Sequence, residues 1–274
     1  MTDHRFETHE PVALFVEIGS GQVDVTATDT TESRVEVTGR HADEVEVTLD
    51  GRDLRVVAPR RRNGFFHDDT SLHVTALVPT GSDLTSRTGS ADTGVVGEVG
   101  VVVVKSGSGD VRLDAVRGPV TVETGSGDVE IEETRAAAAI KCGSGDVSLR
   151  TSGASTAVST GSGDVEIALS RGKTVIKTGS GDVHLGDSEG DVTLQTGSGD
   201  LQIDSARRGK VTAKGASGSV RVGVPSGTPI WTDVSTISGR IHNEVQGVGQ
   251  PEEGADHVEL RATTVSGDVV LLPR

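Results

Sequence analysis

A chain of 274 residues with 33% hydrophobic and 2% aromatic content lacks the apolar bulk for a large round core, though it suffices for a thin, elongated one. Its formal net charge of −15 disfavours general nucleic-acid binding, because a phosphate backbone attracts basic surfaces. Thirty-seven glycines among abundant Val, Thr, Asp and Ser make a strand-and-turn mixture, and the regular alternation of Val, Ile and Leu argues against disorder.

Residues 1–10 read as a flexible N-terminus. The opening MTDHRFETHEPVALFVEIGSG mixes acids and bases and holds no apolar stretch of signal length. Nowhere do eighteen uncharged apolar residues run together, so no transmembrane span is expected and the default location is cytoplasmic. Residues 11–85 form an N-terminal β region with the strand-like runs VALFVEI, RVEVTG, EVEVTL, DLRVVAP and LHVTALVP. Inside it, residues 60–69 read RRRNGFFHDD. Arg60, Arg61 and Arg62 followed by Phe65 and Phe66 form a candidate partner-binding loop for an anionic lipid, a nucleic acid or a protein. The plainer alternative is a solvated hairpin loop whose phenylalanines fold back.

Residues 86–223 repeat. Asp92, Asp110, Asp128, Asp146, Asp164, Asp182 and Asp200 stand 18 residues apart, each in a copy of the hexapeptide TGSGDV or a close relative. Such strict periodicity signals a solenoid, in which each coil buries its apolar face only against its neighbours. One coil, SGDVEIALSRGKTVIKTG, holds two short strands around residues 165–167 and 174–178. Aligned coils give inward pairs such as Val129/Ile131, Val165/Ile167 and Val183/Leu185 on the first strand, and Val120/Val122, Thr174/Ile176 and Val192/Leu194 on the second. The hexapeptide then occupies the corner between strands. Gly125 and Gly127 are expected to adopt positive φ there, and Ser and Asp to bond turn amides. The small column Thr124, Thr160, Thr178, Thr196, with Ser106 and Cys142 in the same place, suits a cramped corner, and Cys142 reads as a packed thiol rather than a nucleophile. A single cysteine permits no internal disulfide.

The aspartate column admits two accounts. Carboxylates stacked at ~4.8 Å repel one another by about 1 kcal/mol in water. Turn amides offset that repulsion in the first account, and bound calcium neutralises it in the second. Calcium β-rolls repeat G-G-x-G-x-D-x-U-x every nine residues, whereas here one aspartate recurs per 18 and the opposite corners lack a second ligand loop. The amide account is preferred, with no metal or other cofactor. Catalysis is tested by Glu130 and Glu166, two coils or ~9.6 Å apart, near the spacing of an inverting carboxylate pair. Regular coils supply no cleft walls, and no aromatic platforms accompany these acids, so no catalytic residues are assigned. His67 and His73 lie near one another in sequence without a metal-ligand pattern.

Residues 224–274 complete the chain as less regular β coils, TPIWTDVSTISGRIHNEV and HVELRATTVSGDVVLLPR, joined by QGVGQPEEGAD. They are expected to cap the stack. The iterated T-G-S-G-D-V-x-L unit, with VALFVEIGSGQVDVTATD before it and VPSGTPIWTDVSTISGRIHN and VELRATTVSGDVVL after it, resembles the bacterial β-strand-repeat family of unknown function whose members carry the adhesin label. The resemblance spans about residues 10–273. It implies a β-solenoid with a cell-envelope connection and supplies no catalytic or ligand residues. The expectation is therefore an all-β parallel solenoid acting as a non-catalytic binding protein for a protein or envelope component. The alternatives are a self-assembling scaffold, homo-oligomeric or joined end to end, and a calcium-stabilised β-roll.

Overall fold

The structure, a computed structural model, describes residues 1–59, 71–245 and 257–274. Among them are 27 β-strands and one 3-10 helix, Ala42–Glu44, so the protein is all-β. Parallel strands stacked at successive coils make a β-solenoid, in which each coil lends one strand to each of two facing sheets. The chain divides into two compact units, Met1–Ala136 and Ala137–Arg274.

Among the described residues of the C-terminal unit the strand pairings are parallel, and the repeat sets the register. Val165 faces Val183, Glu166 faces His184 and Ile167 faces Leu185, each 18 residues on. On the second sheet Thr174 faces Val192 and Ile176 faces Leu194. Alternation of side chains along a strand sends the first and third of each set inward. Val165, Ile167, Ile176, Val183, Leu185 and Leu194 are accordingly buried to 1% exposure or less. A further inward column falls at the corner opposite the hexapeptide, where the first strand extends to residue 170. Ser152, Ser170 and Ser188 are completely buried there. Their hydroxyls are satisfied locally: Ser152 shares a 2.6 Å hydrogen bond with Thr156 and lies 2.9 Å from the Ala154 carbonyl oxygen. Small hydroxyl residues thus turn the chain without leaving buried polar atoms unpaired.

Chain order is not stack order at the far edge of this unit. Its first sheet runs Leu201–Ala206, Val220–Val224, Val269–Pro273, Ile241–Asn243, and its second runs Gly209–Gly215, Val258–Thr264, Ile230–Thr236. The coil containing Val258–Pro273 is therefore slotted between two coils that precede it in sequence. Residues 230–243 form the outermost coil.

The N-terminal unit uses a similar device. Ser20–Thr28 lies between Ser71–Pro79 and Asp92–Val99, and Ala13–Ile18 lies between Asp53–Val57 and Asp83–Thr88. Outside these the pairing turns antiparallel. Glu32–Gly39 adds to Ser71–Pro79, Thr2–Glu7 adds to Glu32–Gly39, and Glu46–Asp50 adds to Asp53–Val57. Residues 1–10, expected to be a flexible N-terminus, thus contain an edge strand. Asp3 and Arg34 hold it with a two-pronged ion pair at 2.8 and 3.1 Å. That contact lowers the Asp3 carboxyl below its ordinary pKa and raises the Arg34 guanidinium, through hydrogen bonding first in both. Charged, ion-paired edge strands resist pairing with further chains.

Candidate functional surfaces and family membership

The hexapeptide corner is closed by its threonines, glycines and aspartates, though not all in the expected way. Gly125 and Gly127 do not have positive φ. What forbids a side chain is the coil beneath. A Cβ on Gly127 would stand 2.1 Å from the Gly109 carbonyl oxygen, and one on Gly125 would stand 2.4 Å from that of Gly107. The conformational reading of these glycines is therefore replaced by a steric one. Inward-facing Thr closes each turn, with Thr124, Thr160, Thr178 and Thr196 accepting hydrogen bonds from the amides of Gly127, Gly163, Gly181 and Gly199 at 2.9–3.1 Å. Ser106 does the same for Gly109, and the buried Cys142 Sγ stands 3.0 Å from the Gly145 amide. The sequence showed that this column was small. Its repeated hydroxyl was the available sign of a capping role.

The aspartates form a ladder between coils. Within the N-terminal unit Asp92 Oδ1 accepts the amide of Asp110 at 2.9 Å, and Asp110 that of Asp128 at 3.0 Å. In the C-terminal unit Asp146, Asp164 and Asp182 accept the amides of Asp164, Asp182 and Asp200 at 2.7–2.8 Å, and Asp200 accepts that of Ser219. Asp268 continues the pattern toward Arg240 at 2.8 Å. Each carboxylate thus bonds an amide of the next coil, and these charge-assisted hydrogen bonds offset the repulsion between stacked carboxylates. Among the described residues no three His, Cys, Asp or Glu side chains are gathered as a metal site. Arg60, Arg61, Arg62, Phe65 and Phe66, as well as His67, lie outside the described residues.

The outward columns carry the chemistry that a partner would meet. On the C-terminal unit His184 Nε2 contacts Asp204 Oδ2 at 2.9 Å, while its Nδ1 lies 3.9 Å from Glu166. Gln202 donates to Asp204 Oδ1 at 2.8 Å, and Arg274 reaches the same oxygen at 3.2 Å. The Gln202 hydrogen bond, followed by those of His184 and its charge and that of Arg274, holds the Asp204 carboxyl below its ordinary pKa, against an opposing contribution from partial burial. Beside this network is a shallow depression of about 350 Å³, lined by Asp182, His184, Asp200, Gln202, Ser219 and Arg221. The N-terminal unit repeats the local arrangement. Gln22 donates to Asp24 at 3.0 Å, and His73 Nε2 contacts the other Asp24 oxygen at 2.9 Å. Its second sheet also stacks Arg55 and Arg87 over the Phe15 ring, at 4.7 and 5.4 Å from the centroid. Glu130 pairs with Arg112 at 3.7 Å.

A family model described as Toastrack DUF4097 matches residues 13–173 and again residues 152–272. The chain belongs to the Toastrack family. Among solved structures, a candidate lipid-binding protein from Parabacteroides distasonis is 14% identical, with a TM-score of 0.52 over 98% of this chain and 96% of that one. That likeness extends the Toastrack fold assignment and nothing further. A candidate adhesin from Parabacteroides merdae is 11% identical over 99% and 95% of the two chains with a TM-score of 0.40, and one from Bacteroides fragilis is 9% identical over 99% and 96% with a TM-score of 0.36. No curated protein matches the chain. Among the described residues no helix is long and apolar enough to cross a membrane.

Proposed function

We propose that this Toastrack protein is a non-catalytic binding module whose outer sheet faces engage an extended protein or cell-envelope partner. The observation that carries this reading is the outer face of the C-terminal unit. There Glu166, His184 and Gln202 occupy successive coils in direct register, beside a shallow polar depression. Side chains repeated at ~4.8 Å suit a partner that itself repeats or runs extended. The adhesin label attached to solved structures of similar fold supports a binding role and names no partner. The Arg60–Phe66 segment enters the proposal on its sequence, as a second contact for an anionic surface.

The test is affinity capture with the tagged chain from separated cytosolic and envelope fractions, with bound material identified by mass spectrometry. Three chains are compared: the wild type, a Glu166→Ala/His184→Ala/Gln202→Ala variant, and a variant with Arg60–Arg62 and Phe65–Phe66 replaced by Ser. A partner captured by wild type and lost from the triple variant supports the reading. Capture that survives in both variants overturns the assignment to these surfaces. The fraction that yields the partner decides between a cytoplasmic and an envelope role, and phosphatidylglycerol vesicles serve as the lipid arm.

A further inference from the structure

The outermost coil of the C-terminal unit is built as an inner coil and lacks an inner coil's neighbours. Its strand Ile230–Thr236 pairs with Val258–Thr264 and, among the described residues, has a neighbour on that side only. Val258 donates its amide to the Pro229 carbonyl at 3.0 Å. The alternation of a parallel ladder therefore turns the N–H and C=O groups of Ile230, Thr232, Val234 and Thr236 toward the open edge. The same coil carries large exposed apolar side chains: Trp231 at 53%, Ile237 at 81% and Ile241 at 52%. Its charge is slight for so acidic a chain, since residues 226–245 contain only Asp233, Arg240 and Glu244, a formal sum of −1.

We propose that a second copy of this chain docks on this edge, strand to antiparallel strand, about a twofold axis through Val234. A centre on any residue position joins the free backbone groups of both copies, so side chains choose the register, and centring on Asp233 would set that carboxylate against its own copy. Centring on Val234 sets Thr232 opposite Thr236, Asp233 opposite Ser235 and Trp231 opposite Ile237 of the second copy. Apolar residues thus meet apolar ones and like charges do not face each other. Centring on Thr232 would instead put Trp231 opposite Asp233. The inward column of Ile176, Leu194, Ala213, Ala262 and Val234 would continue into the second molecule. A head-to-tail arrangement fits less well. The edge strands of the N-terminal unit, Thr2–Glu7 and Glu46–Asp50, carry Asp3, His4, Arg5, Glu7, Glu46 and Asp50. The contact is isologous and closes on itself, so it ends at two copies.

Light scattering coupled to size exclusion, run over a concentration series, is the first measurement. Twice the 28.2 kDa chain mass is expected for wild type, and the chain mass for Trp231→Lys and for Val234→Lys. Register is tested separately in a Cys142→Ser background. Directly opposed residues lie about 5.5 Å apart between Cα atoms, within disulfide reach, so Val234→Cys should link to itself on mild oxidation. Ile230→Cys should not, because eight residues of offset separate the two copies by roughly 27 Å. A wild-type chain that keeps the monomer mass overturns the proposal, as does a mass that climbs beyond two copies. Self-linking at Ile230 and not at Val234 refutes the register. Circular dichroism establishes that each variant remains folded. Binding by the outer faces is independent of this edge, so failure of one leaves the other standing.

Discussion

Val165 and Ile241 belong to one inward column, connected register by register through Val183, Leu201, Val220 and Val269. Val165 is 1% exposed and Ile241 is 52% exposed. Similar chemistry at the same place in a coil thus ends in opposite environments. The neighbouring column teaches the same lesson differently, since it reads Ile167, Leu185, Ile203, Val222 and Leu271 before finishing on Asn243. Burial in a solenoid is a property of having coils on both sides and cannot be assigned to a coil alone.

The largest expected effect comes from an inner coil. Ile176→Ala empties a fully buried site and should cost about 3 kcal/mol in a denaturant melt, while Ile241→Ala should cost well under about 1 kcal/mol in the monomer. Equal losses would break the comparison. Next is Gly181→Ala, whose Cβ would fall 1.9 Å from the Gly163 carbonyl oxygen, with an expected cost of about 2 kcal/mol from forced separation of the coils. Gly51 has positive φ and an open surround, so Gly51→Asn should be nearly silent in the same melt. Thr178→Val removes the acceptor for the Gly181 amide and should cost about 1 kcal/mol, with Thr178→Ser recovering most of it.

The smallest effect sharpens the outer-face account. Because the Asp204 carboxyl is held below its ordinary pKa of about 3.8, its contribution is present at neutral pH and lost as pH falls through the depressed value. Wild type should therefore melt slightly higher than Asp204→Asn near neutrality, by no more than about 1 kcal/mol for so exposed a network. The two curves should converge in strong acid. A difference that grows on acidification would contradict the assigned direction.

Much of this was legible in the residues. The 18-residue spacing and the Val/Leu alternation gave the coil length, the register and the buried columns, because a strand's two faces leave a period-2 imprint. Strand extent was less legible. The serine column at 152, 170 and 188 is buried yet polar, and its partners come from the turn rather than from any apolar pattern. Glycine roles were misread at Gly125 and Gly127, since a tight approach between coils leaves the same letter in the sequence as a left-handed turn. The strand at residues 2–7 escaped notice because its half-buried face carries Thr2, His4 and Phe6 rather than an apolar alternation. Stack order at residues 230–273 was invisible, since equivalent coils fit wherever an open edge awaits them. For the outer-face network, the 18-residue spacing alone sets Glu166, His184 and Gln202 on successive coils, whereas the convergence of Asp204 and Arg274 upon them required the folded chain.

The insertion of Val258–Pro273 beneath residues 230–243 bears on how the protein is born. During synthesis the outermost coil emerges before the coil that must support it. Until residues 258–273 are released, Ile230–Thr236 lacks its native neighbour, and the native stack stops at Val220–Val224. Completion of the C-terminal unit is therefore a late, single event that locks two coils at once, and a nascent chain halted near residue 257 should present protease-sensitive residues 230–245 on an otherwise resistant body.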